Sequence, residues 1–353
     1  MSKPPRIFGT LLTEIVRTDL CMYCGACIAS CPVNVIARTD DEKPTLAGIC
    51  ILCELCYYGC PRVQLPLDQI EENIFGRTRQ TDEPYGIKLG VFSARSTDPE
   101  VRKRVQDGGV ATTILRQALE RKIVDRVITV GTVPGNPWKP VPVVVSDGKD
   151  LLEHAHSKYT STGSLSGLAD AAAGYPDSDF AFVGVPCQLQ ALRRLATSPH
   201  GARKLAERVK LALGLFCFNS YKYNSLFTDY LETQQRLDLS KISKVDCKAG
   251  QFTFHEGDKT ILQVPAKGLE PYKNPGCAKC QDFTGELSDI SIGSVGSDSG
   301  WCTVITRKPE TEQLLKAAVD SGALELRPDG PRVQEVAKLS EAKRKRPAPY
   351  IPH

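Results

Sequence analysis

The sequence L-C-M-Y-C-G-A-C-I-A-S-C-P at residues 20–32 returns in a related form as C-I-L-C-E-L-C-Y-Y-G-C-P at residues 50–61. Both stretches have the spacing C-x2-C-x2-C-x3-C-P, and each cysteine of the second lies 29 residues after its counterpart in the first. In this spacing three thiolates surround one cubane iron–sulfur cluster, and the fourth ligates the other cluster. The repeat therefore predicts a small domain that holds two 4Fe–4S clusters.

Crossed ligation assigns the last cysteine of each stretch to the cluster of the other stretch. A zinc site or a disulfide scaffold is the alternative. Zinc does not need two identical quartets that each end in Cys-Pro, and disulfides are typical of secreted chains. The stretch resembles a bacterial-type two-cluster ferredoxin domain. The predicted ligands are Cys21, Cys24, Cys27 and Cys60 for cluster 1, and Cys50, Cys53, Cys56 and Cys31 for cluster 2.

Length and composition limit what the rest of the chain can be. With 353 residues the chain is long enough for a second, larger domain with its own core. A net charge of +4 does not by itself indicate nucleic-acid binding. Fourteen cysteines without a secretory signal indicate a reducing compartment, so we expect a cytoplasmic protein. No apolar run approaches the ~20 residues of a membrane span, so any membrane association is expected to come through a partner.

The chain divides into four predicted regions. These are a two-cluster ferredoxin domain (residues 1–72), a polar linker (73–86), a larger domain (87–335) and a basic, proline-rich tail (336–353). The tail contains the charge run Lys343–Arg346, which we interpret as a solvated face, with docking on an acidic partner as the alternative.

Buried strands alternate with helices in the larger domain, which predicts an α/β fold (α+β overall) with a largely parallel sheet. Strands are predicted at residues 87–93, 126–130, 140–146, 179–185, 210–216 and 303–306, and helices at 105–121, 189–195 and 310–321. In parallel sheets, ligands bind at the carboxyl ends of the strands.

Two of these strands are followed by a cysteine, which indicates a third cluster. Cys187 and Cys217 follow the strands at 179–185 and 210–216, and Cys277 and Cys280 form a later C-x2-C pair. Together they provide the four thiolates that another 4Fe–4S cluster needs. Taken singly, each cysteine is more often a small buried hydrophobe, and the pair is also compatible with a redox dithiol. Cys247 and Cys302 are interpreted as structural, with either able to replace one of the four.

Two polar stretches are candidates for holding an anionic cofactor. Gly108-Gly109 open a helix, where backbone N–H groups and the helix dipole favour an anion. H-S-K-Y-T-S-T-G-S-L-S-G-L at residues 156–168 combines hydroxyl groups with one lysine before another helix. A plain loop explains the first equally well, and ordinary N-capping is the favoured explanation of the second.

Several motifs of the larger domain together resemble the coenzyme F420 hydrogenase/dehydrogenase beta-subunit family. They are D-G-G-V-A-T, K-Y-T-S-T, V-G-V-P-C-Q-L-Q-A-L, G-L-F-C and C-A-K-C-Q-D-F-T-G-E-L-S-D-I-S-I-G, in that order between residues 87 and 325. The V-P-C-Q and C-x2-C-x-D-F runs are the specific ones. With the ferredoxin domain in front, the layout is similar to the electron-input subunit of F420H2 dehydrogenase complexes.

The resemblance implies a flavin iron–sulfur enzyme that oxidises or reduces coenzyme F420. It implies FAD and one 4Fe–4S cluster in the larger domain, with Cys187, Cys217, Cys277 and Cys280 as the cluster ligands. The segments that contact the flavin in the family correspond here to Gly108, Gly109, Thr112, Lys158, Tyr159 and Thr160.

The expected function is electron transport from a hydride donor to clusters. Reduced F420 would pass a hydride to FAD, and single electrons would pass through three 4Fe–4S clusters to a redox partner protein or a membrane-associated oxidoreductase complex. Hydride transfer needs no general base, so no catalytic acid or base is assigned. The alternatives are a ferredoxin-dependent reductase of a pigment or tetrapyrrole and an electron-relay subunit without flavin.

Overall fold

The computed structural model describes residues 4–198, 202–348 and 350. Residues 1–3 of the predicted ferredoxin domain, and residues 349 and 351–353 of the predicted tail, lie outside the described residues. The strands are β1 (Ile36–Arg38), β2 (Pro44–Leu46), β3 (Gly90–Ser96), β4 (Arg126–Thr132), β5 (Pro140–Val145), β6 (Phe180–Gly184), β7 (Val209–Leu215), β8 (Lys244–Lys248), β9 (Gln251–Glu256), β10 (Lys259–Pro265), β11 (Ile290–Gly293), β12 (Cys302–Thr306) and β13 (Leu324–Leu326).

The α-helices are α1 (Phe8–Leu11), α2 (Ala26–Ala29), α3 (Leu55–Tyr58), α4 (Leu67–Phe75), α5 (Pro99–Arg104), α6 (Val110–Glu120), α7 (Asp150–Glu153), α8 (Ser164–Gly174), α9 (Pro186–Thr197), α10 (Arg203–Ala206), α11 (Pro309–Asp320) and α12 (Val333–Arg344). Two segments are π-helical, Leu12–Val16 and Asn224–Gln234, and three are 3-10 helices, Leu239–Lys241, Ala266–Tyr272 and Pro275–Lys279. In the described part of the chain, no helix has the length and apolar character that crossing a bilayer requires.

An eight-stranded mixed sheet forms the frame of the larger domain, with the strand order β13-β3-β12-β11-β7-β6-β4-β5. The central strands β11, β7, β6 and β4 run parallel to one another. The outer pairs are antiparallel. The prediction of a largely parallel sheet is therefore confirmed at the centre and wrong at the edges. Residues 133–139, which join β4 to β5, are too few for the crossover that a parallel pair needs.

Both faces of the central strands are covered by helices. On β6, Ala181 and Val183 pack in the apolar cluster that includes α6 and α11. Phe180 and Phe182 lie on the opposite face, in the cluster that includes α8 and α9. Because period-2 alternation sends neighbouring side chains to opposite faces, a strand covered on both faces is apolar throughout. All residues of β6 are buried, as this predicts.

A smaller antiparallel sheet, in the order β10-β9-β8, accompanies the large one. Phe252 and Phe254 of β9 belong to an aromatic cluster with Trp138, Tyr221 and Phe227. Apolar and polar residues alternate at 244–254, and this stretch forms β8 and β9 on either side of the turn at Gly250.

The N-terminal domain packs directly onto the larger domain. Its own core includes Phe8, Ile15 and Tyr57. Ala26 of α2 belongs instead to the cluster of α8 and α9. The backbone N–H of Leu165 donates to the carbonyl oxygen of Cys24 at 3.1 Å. The first cysteine loop is thus held against the larger domain.

The segment predicted as a linker, residues 73–86, is a packed connection. Helix α4 continues to Phe75, and Tyr85 is buried. Arg79 forms ion pairs with Glu71 and with Glu286 of the larger domain, and both carboxylates are buried. The polar composition predicted a linker, and neither composition nor periodicity could show that its charged groups pair with buried carboxylates.

Candidate metal and cofactor site

The eight N-terminal cysteines line two separate cavities. Each cavity brings together three cysteines of one stretch and the fourth cysteine of the other. This is the crossed arrangement that the C-x2-C-x2-C-x3-C-P spacing predicts. The first cavity is lined by Cys21, Cys24, Cys27 and Cys60, and the second by Cys50, Cys53, Cys56 and Cys31.

The two cysteine loops have the same backbone conformation. Tyr23 and its counterpart Leu52 have left-handed φ values of 57° and 59°. The N–H of Tyr23 donates to Cys21 Sγ at 3.5 Å, and the N–H of Leu52 donates to Cys50 Sγ at 3.4 Å. Such strained positions persist when a functional geometry requires them, and N–H groups directed at sulfur stabilise a thiolate and tune a cluster.

Burial sets the protonation of these thiols. It raises the pKa of Cys21 and of Cys24 to about 12. Burial also raises the pKa of Cys56 to about 12. At neutral pH these side chains are therefore neutral thiols unless a metal displaces the proton, which iron does on coordination. Among the described residues no group of three or more His, Cys, Asp or Glu side chains fits a single metal ion. A cubane cluster is larger than one ion, so its ligands stand further apart.

A third set of four thiols lies at the carboxyl edge of the parallel strands. Cys187 is in the first turn of α9 after β6, and Cys217 follows β7. Burial raises the pKa of the Cys187 thiol well above its ordinary value, and the neighbouring Cys280, Cys217 and Cys277 add to this rise. The N–H of Ser220 donates to Cys277 Sγ at 3.3 Å. The structure thus brings together the four cysteines that the sequence selected.

The first and third thiol sets are neighbours. Cys24 is among the groups whose charge interacts with Cys187. Arg62, which follows the Cys60-Pro61 pair, is 2% exposed and donates to the carbonyl oxygen of Gly276 at 3.0 Å. It thereby ties the ferredoxin domain to the 3-10 helix that carries Cys277. Sequence analysis did not single out Arg62.

Gly276 allows the 3-10 helix that carries Cys277 to approach the first cysteine loop closely. A Cβ atom at this position would lie 2.4 Å from the carbonyl oxygen of Cys21.

We expect Gly276→Ala to destabilise the folded protein by about 1–3 kcal/mol, the usual cost of overpacking, and to slow electron exchange between the first and third sets. Thermal bleaching of cluster absorbance would measure the stability. Gly174→Ala is the control, because a Cβ atom there would meet nothing within 4 Å. Equal stability of the two variants would contradict the expectation.

The charge run at residues 343–346 is not a solvated face. Lys343 is 1% exposed, and its Nζ donates to the carbonyl oxygen of Cys217 at 2.5 Å. Arg344 forms an ion pair with Glu286 at 3.0 Å, and Arg346 donates to the carbonyl oxygen of Cys277 at 2.7 Å. Burial would lower the pKa of Lys343, but the nearby Cys280, Cys217 and Cys277 hold it above its ordinary value. Three of the four charges therefore serve the third thiol set and its surroundings.

The glycine pair at the start of α6 is explained by packing. A Cβ atom on Gly108 would lie 2.9 Å from the carbonyl oxygen of Ala94, and Gly109 has a φ of 72°. The backbone N–H groups of residues 108–110 face the buried Cys302 thiol, whose pKa burial raises to about 11. This helix start therefore lies near a buried thiol, and Thr112 in its first turn is buried.

The segment around Lys158 fits an anionic cofactor better than the start of α6 does. Within the described residues the Lys158 ammonium has no hydrogen-bond or ion-pair partner, although the Lys158 carbonyl oxygen accepts from the Thr160 hydroxyl at 3.4 Å. Burial lowers the pKa of Lys158 to about 8. His156 Nδ1 is buried without a hydrogen bond, and burial together with Lys158 lowers the pKa of His156. An uncompensated lysine and an unpaired ring nitrogen are costly unless a ligand pairs with them.

Tyr159 and Thr160 are held by neighbouring elements. Tyr159 has a left-handed φ of 58°, and its ring packs edge-on against Phe252 at 5.1 Å between centroids. Burial raises its pKa well above the ordinary value, and Cys247 and Asp246 of β8 add to the shift. Thr160 forms a bridge with Tyr221. Segment 156–160 therefore lies beside the small sheet, in the part of the larger domain that adjoins the third thiol set.

Sequence comparisons match both domains. Residues 91–169 and 177–331 match the models for the N-terminal and C-terminal parts of the coenzyme F420 hydrogenase/dehydrogenase beta subunit. Residues 14–37 match the model of a 4Fe-4S binding domain. The matches stop before α12, the helix that carries Lys343.

Three similar proteins illustrate the range of the match. The beta subunit of the coenzyme F420 hydrogenase of Methanothermobacter thermautotrophicus is 36% identical over 69% of this chain and 85% of its own. One subunit of the F(420)H(2) dehydrogenase of Methanosarcina mazei is 29% identical over 97% of this chain and 93% of its own. A solved chain of the F420-reducing [NiFe] hydrogenase complex from Methanosarcina barkeri superposes with a TM-score of 0.71 at 32% identity, covering 76% of this chain and 92% of the other.

Proposed function

The chain belongs to the coenzyme F420 hydrogenase/dehydrogenase beta-subunit family, with a ferredoxin-like domain in front, and from this premise we propose that it is the electron-input subunit of a coenzyme F420 oxidoreductase. The resemblance drawn from the motifs is thereby confirmed. The proposal includes FAD as the flavin, reduced F420 as hydride donor, and three 4Fe–4S clusters that lead to a redox partner protein or a membrane-associated complex.

The observation that carries the proposal is the order of the three thiol sets. The third set, in the larger domain, adjoins the first set through Arg62 and Gly276, and the second set lies in the outer cysteine loop of the ferredoxin domain. A continuous series of cysteine quartets suits a path for single electrons. Ser220 connects the third set to segment 156–160, because its N–H donates to Cys277 Sγ and its hydroxyl donates to the carbonyl oxygen of Tyr159.

When bound, FAD would accept the hydride of reduced F420 and release electrons singly, which is the form that iron–sulfur clusters take up. The residues that we assign to flavin binding are Lys158, Tyr159 and Thr160, with Gly108, Gly109 and Thr112 assigned by family resemblance. Lys158 would pair with a phosphate of the cofactor. The rigid backbone at Tyr159 and the packing of its ring on Phe252 would keep the adjoining wall fixed and exclude water.

The twelve cysteines would hold the clusters, and buried cations would offset the negative charge of the loaded sites. Arg62 lies between the first and third sets, and Lys343 lies beside the third. Burial of the thiols and N–H groups directed at sulfur, as at Cys277, are the features by which proteins adjust cluster potentials.

The test is anaerobic reduction of the purified protein. Flavin and iron are first quantified. Reduced F420 is then added to one sample and NADH to another, and bleaching of flavin and cluster absorbance is followed. We expect rapid bleaching by reduced F420 alone, because the family resemblance implies F420 as the hydride carrier.

Other outcomes would favour the alternatives. A protein with intact flavin and clusters that neither donor bleaches would contradict the F420 assignment and favour a ferredoxin-dependent pigment or tetrapyrrole reductase. A protein that carries clusters and no flavin would favour a pure electron relay.

A further inference from the structure

Large apolar side chains are exposed around the second thiol set. Ile49 is 88% exposed, Ile51 56% and Leu52 53%. We call these three residues, together with Val33 and Leu46, the apolar rim. The rim supplies half of the exposed large hydrophobic side chains found among the described residues. Soluble proteins rarely leave such side chains clustered unless another molecule covers them.

The rim adjoins Cys53, the one cysteine that is exposed among the described residues. Val33 and Ile51 line the same cavity as the second thiol set. Residues 44–53 contain no charged side chain. A partner seated here would therefore meet a mainly apolar surface, with Glu54 as the charged residue that lines the cavity, and would come close to the second set.

The internal repeat shows how unusual this exposure is. Met22 and Tyr23 occupy in the first cysteine loop the places that Ile51 and Leu52 occupy in the second. The backbone is alike at Tyr23 and Leu52, yet Met22 and Tyr23 are only 6% and 5% exposed. The two cysteine loops thus have matching backbones, but among the described residues only the first loop is covered by the rest of the chain.

The segment that covers the first cysteine loop also carries a cysteine of the third thiol set. Gly276, in the 3-10 helix that carries Cys277, packs against the backbone of Leu20 and Cys21. The first loop is therefore covered by the segment that presents the next set of thiols. Among the described residues, no equivalent segment covers Ile49, Ile51 or Leu52.

We propose that the apolar rim is the docking surface for a separate protein that carries a one-electron iron–sulfur centre beneath an apolar face. This inference rests on the proposed function and adds the class of partner and the place where it binds. The partner would cover the second cysteine loop, as the segment Pro275–Lys279 covers the first.

Two other occupants fit the surface less well. A second copy docked symmetrically would join two equivalent outer sets, and electrons would pass only between like centres. A lipid surface would be expected to contact basic side chains, and residues 44–53 contain neither lysine nor arginine.

The test uses the full-length, cluster-loaded protein and a defined probe. Oxidised protein is mixed anaerobically with a reduced two-cluster bacterial ferredoxin or, separately, with the small methyl viologen radical, and cluster bleaching is followed. Neither donor involves F420, so a failure of the F420 assignment would leave this experiment intact.

We expect Ile49→Asp and Ile49→Lys each to slow reduction by the ferredoxin about tenfold, as expected for a central interface residue. Reduction by methyl viologen should persist, because a small donor needs no docking surface. Leu46→Asp, outside the cysteine loop, should repeat the result if either Ile49 variant fails to retain its second cluster. Ile123→Asp, on an exposed residue of the larger domain, is the control and should leave both rates unchanged.

Three results would overturn the proposal. The first is an unchanged ferredoxin rate in the Ile49 and Leu46 variants. The second is opposite effects of Ile49→Asp and Ile49→Lys, since a charge effect on the cluster changes sign and a docking effect does not. The third is a wild-type dimer that Ile49→Asp converts to a monomer with a faster ferredoxin rate, because a second copy would then be the occupant.

Discussion

A Cys187→Ala variant is expected to separate flavin reduction from cluster reduction. With reduced F420, its flavin should bleach while the clusters of the ferredoxin domain stay oxidised. Cys187 interacts with every other member of the third set and with Cys24 of the first, so its loss should remove the centre that joins the two domains. Loss of an outer-shell partner commonly costs roughly 10–100-fold in metal affinity or activity, and loss of a ligand should cost more.

Stopped-flow absorbance at separate flavin and cluster wavelengths, combined with iron analysis, would check this prediction. Cys247→Ala is the matched control, because Cys247 lies in β8 beside Tyr159 and outside the three thiol sets. That variant should keep the full iron content and pass electrons as the wild type does. Normal cluster reduction in Cys187→Ala, or loss of one cluster from Cys247→Ala instead, would remove Cys187 from the ligand set.

The cysteine groupings were predictable from sequence because their geometry is local. The spacing of the two N-terminal stretches determines which thiols can surround one cavity, and the structure lines two cavities with those sets. The third set needed a topological argument. Cys187 and Cys217 follow adjacent parallel strands, so their side chains had to emerge at one edge of the sheet.

The cations near the thiols were not predictable in the same way. Lys343 lies in a charge run whose usual interpretation is a solvated face, and only the tertiary fold shows that α12 carries it beside the third set. Arg62 has no spacing signal either, since its counterpart in the first stretch is Val33. Long-range pairing of a buried charge leaves no period in the sequence, so helical or strand patterns cannot reveal it.

The glycine pair shows that one motif can have two explanations, and its assignment to flavin binding stays a prediction. Gly108 and Gly109 match a pattern that often binds anions, yet here each has a packing explanation, and the N–H groups beside them face Cys302. The lysine of the hydroxyl-rich stretch is better supported as a cofactor contact, because the Lys158 ammonium has no partner in the described chain and burial lowers its pKa. A sequence motif thus predicts a local backbone geometry, and the contacts in the structure show whether that geometry serves packing or leaves a group free to bind a ligand.

Replacing Lys343 by Met is expected to make the third cluster harder to reduce. Reduction adds a negative charge to a buried site, and the Lys343 ammonium stabilises that charge from beside Cys217, Cys277 and Cys280. Two unit charges about 4 Å apart interact by about 4 kcal/mol at an effective dielectric constant near 20. A tenfold change in a one-electron equilibrium corresponds to about 59 mV. Since a tenfold change is about 1.4 kcal/mol, an interaction of about 4 kcal/mol corresponds to about 170 mV, and we expect the midpoint potential of the third cluster to fall by about 59 to 170 mV.

A redox titration followed by electron paramagnetic resonance would measure this potential directly, without reliance on turnover. Methionine keeps the length and apolar stem of lysine, so the change mainly removes the charge. Lys338→Met is the matched control, since Lys338 lies on the same helix with an exposed side chain. The first and second clusters should keep their potentials, because Lys343 interacts with the thiols of the third set. An unchanged potential in Lys343→Met, or an equal fall in Lys338→Met, would show that Lys343 only supports the packing of α12.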